Sequence, residues 1–202
     1  MLIKRVFKVA IDNWNYGIPS NAFNGLDILS PHKPRTRRLH SNELSTLIFH
    51  AEKQRNKYIS TIIQFAVETG MRRSEILKLK WNDVDLDTGI ASLYDTKNGD
   101  DRHIPLTKTA IQLLSNLSQS SEFVFPISAN CLRLAWERCR NKSNIKGLRF
   151  HDLRHEAVSR FFEMGLSVPE VALISGHKDV RQLFRYTHLK PENLIAKYSQ
   201  IF

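Results

Sequence analysis

Four stretches of this chain carry side chains suited to chemistry at a phosphate: "TGMRRSE" with Arg72, "TKNGDDRHIPL" with Lys97, "HDLRH" with His151 and Arg154, and "GHKDVRQLFRYTH" with His177 and Tyr186. A phosphodiester under attack gathers negative charge on its non-bridging oxygens. Guanidinium groups meet that charge with paired hydrogen bonds and do not lose their protons. A phenol, with an ordinary pKa of about 10, is a poor nucleophile at neutral pH and needs help from other residues. Two arginines, two imidazoles, a lysine and a phenol would together run phosphoryl transfer by positioning and electrostatic stabilisation, with no cofactor. No Asp/Glu cluster reads as a magnesium site.

Each residue also has a plainer reading. Arg72 beside Arg73 is ordinary surface charge, Lys97 a solvated turn lysine, and His177 after Gly176 a helix-end histidine. His151 and His155, four apart, would suit two zinc ligands, but the glutamate of HExxH and a third ligand are both lacking, so no metal is expected. It is their joint occurrence in one order that argues for a site.

The elements that must position these residues follow from periodicity. Val6, Val9, Ala10 and Trp14 give a helix over 4–16, stopped by "GIPSN". Residues 29–40, "LSPHKPRTRRLH", read as an extended basic linker. It is either a solvated tether or a strap whose Lys33, Arg35, Arg37 and Arg38 run along a phosphate backbone. Leu44, Leu47, Ile48 and Ala51 mark a helix capped at Ser41, and Ile59, Ile62, Ile63 and Ala66 mark one from Tyr58 to Gly70. "RRSEILKLKW" is a short helix. Turn signals at Asp87-Thr88-Gly89 and Asn98-Gly99 then predict about three antiparallel strands, with Lys97 at the mouth of a hairpin. Helical patterns resume at about 107–117, 128–141, 152–164, 168–175, 179–187 and 191–200. Asp179 and Gln182 would open the helix leading to Tyr186 with a capping box. The class is mainly α with a small antiparallel β-sheet, an α+β fold.

The 202 residues allow one large domain, and 30 Lys+Arg against 20 Asp+Glu give a net charge of +10, which favours a polyanion, nucleic acid before membrane. Cys131 and Cys139 fall about 12 Å apart along one helix, too far for a disulfide, which fits a reducing, cytoplasmic setting. The basic opening has no apolar core long enough for a secretory signal.

In this order the motifs G-x-R-x-x-E, hairpin lysine, H-x-L-R-H, Gly-His and a tyrosine nine residues later resemble the catalytic domain of the tyrosine recombinases, or phage-type integrases, from about residue 39 onward. "HDLRHEAVSRFFE" and "ISGHKDVRQLFRYTHL" look closest to bacterial integrase and shufflon-type members. The resemblance implies that Tyr186 attacks a DNA phosphate to form a 3′-phosphotyrosine, that Arg72 and Arg154 clamp its oxygens, and that Lys97 protonates the leaving 5′-oxygen. His151 is then a hydrogen-bond donor and base for the phenol, and His177 holds a phosphate oxygen. Glu75 supports the arginine helix, while His155 and His188 are structural. Ser175 departs from the leucine more usual before Gly-His. The family also carries an N-terminal helical domain. Residues 1–28 are expected to be its terminal helix, 29–40 the linker and 41–202 the catalytic domain, in a shortened chain. The partner is double-stranded DNA, with a tetramer formed in synapsis through the C-terminal stripe Ile195, Tyr198 and Ile201. A topoisomerase-like strand-relaxing enzyme and a non-catalytic DNA-binding remnant are the competing readings.

Overall fold

In the computed structural model residues 2–19, 35, 37–94 and 101–187 are described. Lys33, Lys97, His188 and the C-terminal stripe lie outside the described residues. The chain divides into two units between residues 35 and 36. The first contains α1, Leu2–Trp14, the helix expected near 4–16.

The second unit is built around α3, Tyr58–Thr69, which buries Ile59, Ile62, Ile63, Phe65, Ala66 and Val67. A helix apolar on so many sides must be enclosed, and α3 packs against α2 (Glu43–Glu52), α5 (Lys108–Ser115), α6 (Ala129–Lys142) and α7 (Asp152–Glu163). It ends at Gly70, whose φ of 63° closes the last turn and where a Cβ would stand 3.3 Å from both Ala157 and Phe161 of α7. The turn lets the chain reverse into α4, Arg73–Lys78.

Several helices start where a side chain supplies the acceptor that the first turn lacks. Thr107 accepts from the Ala110 N–H, Ser128 from that of Cys131, and Ser167 forms a reciprocal box with Glu170 before α8, Val168–Ser175. At α2 the expected cap shifts by one residue. Asn42, at φ 68°, precedes the helix, a left-handed conformation that asparagine tolerates better than serine. Cys131 and Cys139 are both free thiols on α6.

The three-stranded antiparallel sheet is β1 (Val84–Asp85), β2 (Ile90–Leu93) and β3 (Arg102–Pro105), paired in that order. Asp85 accepts from the N–H groups of Asp87 and Thr88 and so builds the first turn. Leu93 pairs with Arg102 at the mouth of the second hairpin. Alternation along β3 buries Arg102 and Ile104 on one face.

The segment expected as a helix over 179–187 differs. It forms two 3₁₀ turns, Val180–Gln182 and Phe184–Tyr186. Asp179 caps the first through the Arg181 N–H, and Gln182 has no part in the cap. The reason lies in burial: Leu183 and Tyr186 both face the core, and residues three apart eclipse at three residues per turn. Among the described residues no helix is long and apolar enough to cross a membrane.

Candidate active site

Arg154 is carried by α7 and is 4% exposed, and among the described residues no carboxylate bonds its guanidinium. It donates from Nη1 to the Gly70 carbonyl at 2.7 Å and from Nη2 to the Ser175 carbonyl at 2.6 Å. These carbonyls stand at the C-terminal ends of α3 and α8, where helix dipoles place partial negative charge. Burial and then the neighbouring Arg72 lower its pKa to about 10, which leaves it protonated at neutral pH.

Arg72 immediately precedes α4 and donates from Nη2 to the Gly176 carbonyl at 3.1 Å. The two arginines thus reach consecutive carbonyls of one turn, brought together by Gly176, which ends α8 at φ 67°. Glu75 holds Arg72 twice: its carboxylate accepts from the Arg72 backbone N–H at 2.7 Å and from Nη1 at 2.6 Å. Burial would raise the pKa of Glu75, but that N–H, Arg102 and the Arg72 charge keep it below the ordinary carboxylate value.

His177 follows Gly176, and its Nδ1 lies 2.6 Å from Ser175 Oγ, whose hydroxyl also bonds the Val171 carbonyl. Ser175 therefore orients the imidazole. Burial, then Arg154 and Arg72, lower the pKa of His177 to about 4. His151 stands at the start of α7 with its ring 5.1 Å from that of His155, edge to face. Its pKa is lowered by burial and then by Arg154.

The imidazole hydrogen-bonded to the Tyr186 hydroxyl is that of His155, through Nδ1, with the two rings stacked at 5.7 Å. His155, expected to be structural, is thus the direct partner of the phenol, and no hydrogen bond joins His151 to it among the described residues. Burial and then His151 depress His155 to about 4, so at neutral pH its Nδ1 accepts the phenolic proton's hydrogen bond. Burial raises the phenol above its ordinary value against the opposing charges of Arg185 and Arg154. The hydroxyl stays protonated in this state.

Arg72, His151, Arg154, His177 and Tyr186 converge, and Glu75 and His155 contact members of the group. Arg102 is a further member not foreseen from sequence. Its Nη2 donates to Glu75 Oε2 at 2.9 Å from a site 7% exposed. Arg37 and Arg38, expected along a phosphate backbone, bond carboxylates of the protein: Arg37 bonds Glu43, and Arg38 bonds Glu156 at 3.1 Å and also Glu163. Glu156 also accepts from the Leu39 backbone N–H, which fastens the end of the linker to the helix that carries Arg154. Beside the site a cleft of about 540 Å³ is lined by Arg72, Arg73, Arg133, Arg140, Arg149 and His151. Among the described residues no group of three or more His, Cys, Asp or Glu side chains is placed to hold a metal ion.

The fold is that of integrase catalytic domains. The catalytic domain of bacteriophage HP1 integrase superposes with a TM-score of 0.65 at 23% identity, over 80% of this chain and 93% of that one. A lambda integrase dimer bound to a COC′ core site gives a TM-score of 0.74 at 22% identity, over 92% and 56% of the respective chains. The model of the phage integrase family matches residues 37–193. The shufflon-specific DNA recombinase of Escherichia coli is 42% identical over 165 residues, 81% of this chain and 43% of that protein. A putative integrase/recombinase of Haemophilus influenzae is 33% identical over 88% of this chain and 60% of its own length. The chain belongs to the phage integrase family. It spans about half the length of the curated relatives it matches.

Proposed function

We propose that this chain is the catalytic portion of a site-specific DNA recombinase that cleaves and rejoins strands through Tyr186. The observation that carries the reading is the Tyr186 hydroxyl bonded to His155 beside two guanidiniums that meet at one turn. The Tyr186 oxygen attacks the scissile phosphorus as its proton passes to an imidazole. The bond from phosphorus to the 5′-oxygen breaks, and that oxygen takes a proton from Lys97. The product is a 3′-phosphotyrosine and a free 5′-hydroxyl. Because the ester keeps the bond energy, a 5′-hydroxyl from a second strand reverses the steps and needs no high-energy cofactor. Arg72 and Arg154 stabilise the charge that builds on the non-bridging oxygens, and His177 bonds one of them once the phosphate's charge favours a proton on its Nε2. Double-stranded DNA is the substrate, the C-terminal stripe docks on a neighbouring protomer in a synaptic tetramer, and the work is done in a bacterial cytoplasm.

The test is covalent trapping on nicked suicide duplexes built from inverted repeats beside the encoding locus. The expected product is a denaturation-resistant protein–DNA adduct whose peptide map places the DNA on Tyr186. A duplex bound specifically but never joined would leave only a DNA-binding module. Supercoil relaxation by a strict monomer would favour the topoisomerase reading.

The geometry also selects the proton acceptor. His155→Gln should slow adduct formation by about 10²- to 10⁴-fold, the usual span of general acid–base catalysis. His151→Gln should slow it less. The single-turnover rates of the two variants check this, and the reverse order would return the role to His151.

A further inference from the structure

Arg102 is the one buried arginine of this unit whose place the mechanism above does not use. It begins β3, with the mouth of the second hairpin at Leu93 and Arg102. Its guanidinium abuts Gly176 through Nη1, so close that a Cβ on that glycine would stand 1.8 Å from Nη1 and 2.8 Å from Cζ. Arg102 Nη2 meets Glu75 Oε2, while Glu75 Oε1 meets Arg72 Nη1 and Gly176 O meets Arg72 Nη2. Arg102 therefore touches both groups that hold the Arg72 guanidinium.

We propose that Arg102 is a positioning residue for the phosphate clamp: by sharing the Glu75 carboxylate and packing on Gly176, it sets the direction in which Arg72 presents its remaining N–H groups. The proposal rests on the phosphoryl-transfer reading of the site. Its physical basis is a division of charge. One carboxylate faces two guanidiniums, so Arg72 is held in place without being fully neutralised and keeps attraction for an anion. Without Arg102 the carboxylate belongs to Arg72 alone. The pair closes on itself, and the floor beneath Gly176 is left empty. Arg102 also begins β3, so that strand and the clamp share one fixed point.

A purely structural ion pair would have the same distances, so the test measures coupling to Arg72. Inorganic phosphate is titrated against the whole chain and followed by the His177 ring resonances, and trapping on the suicide duplex is timed in parallel. Arg102→Gln should weaken phosphate binding and slow trapping by roughly 10- to 100-fold, as expected when a small misplacement disturbs a positioned group. In an Arg72→Lys background the same substitution should add less than about threefold, because the effect passes through Arg72. A structural role would multiply in full in both backgrounds, and that result would overturn the proposal. Unchanged phosphate affinity in Arg102→Gln would also overturn it, as would the absence of any saturable phosphate response in the native chain. Should the glutamine variant fail to fold, Arg102→Lys keeps the charge, loses the planar fork, and should show the same dependence on Arg72 at smaller amplitude. A native chain that binds phosphate yet forms no adduct would refute the recombinase reading and leave the coupling result standing.

Discussion

A Tyr186→Phe chain should form no covalent adduct with DNA and should unfold close to where the native chain does, whereas an Arg154→Met chain should lose both cleavage and stability. The contrast follows from what each polar group holds. Among the described residues the Tyr186 hydroxyl bonds the His155 ring and no other group. Its removal costs about 1 kcal/mol of net hydrogen bonding and all of the nucleophilic chemistry. Arg154 bonds two buried carbonyls, those of Gly70 and Ser175, at opposite edges of the site. A methionine would fill much of the volume but leave both carbonyls without this donor, at roughly 1–3 kcal/mol each. It would also remove a charged donor from the developing phosphorane, worth about 10²- to 10³-fold or more in rate. Urea unfolding and single-turnover trapping measure the two losses separately. An Arg154→Met chain as stable as the native one would show that these carbonyls find water or another donor.

The second large effect is acid lability. His155 and His177 are both depressed to about 4 by burial first, then by neighbouring cationic groups and imidazoles. In the unfolded chain each would titrate near 6.5. Between these values the unfolded chain binds protons that the folded chain refuses, so stability falls as pH is lowered from about 6.5 towards 4. The full shift is worth about 3 kcal/mol for each ring at 1.36 kcal/mol per pKa unit, reduced by solvent screening because neither ring is fully buried. Both rings titrate near 6.5 in the unfolded chain, so the two losses come together over this window. Glu75 and Glu156, held below the ordinary carboxylate value, add their own loss below about 4.5. Urea midpoints at pH 7.5, 6, 5 and 4.5 should decline steadily, and His155→Gln should flatten the curve. A flat native profile over this range would mean that the imidazoles stay open to water. Bound phosphate, by supplying a negative charge, should raise the folded-state pKa of both rings and so make the decline smaller.

Helix order and the small sheet were legible because burial repeats every three to four residues in the helices and every second residue in β2 and β3. Gly70 and Gly176 marked the helix ends because no other residue closes a left-handed turn so cheaply. The 3₁₀ turns before Tyr186 were not legible. "DVRQLFRYTH" has helical composition, and only the tertiary demand that Leu183 and Tyr186 share one buried face selects the tighter winding. The carboxylates that Arg38 meets were not legible, because nothing in "KPRTRRLH" reveals partners more than a hundred residues away. For Arg102 the signal was present. Strand alternation places it on the face of buried Ile104, so a cation there must have an internal partner. His155 likewise sits one helical turn from His151, on the side of the helix where the chemistry was expected.

The setting of Arg154 bears on how fast the site can accept its substrate. Arg72 shares a carboxylate with Arg102, and any anion that comes to it competes with that attachment. Among the described residues Arg154 bonds only peptide oxygens at two helix ends, which together offset about one unit of charge while remaining fixed dipoles. No counter-ion must be expelled and no salt link dissolved before an incoming phosphate feels its field. The barrier to capture is then set by desolvation alone, and one member of the pair stands ready while the other is steered.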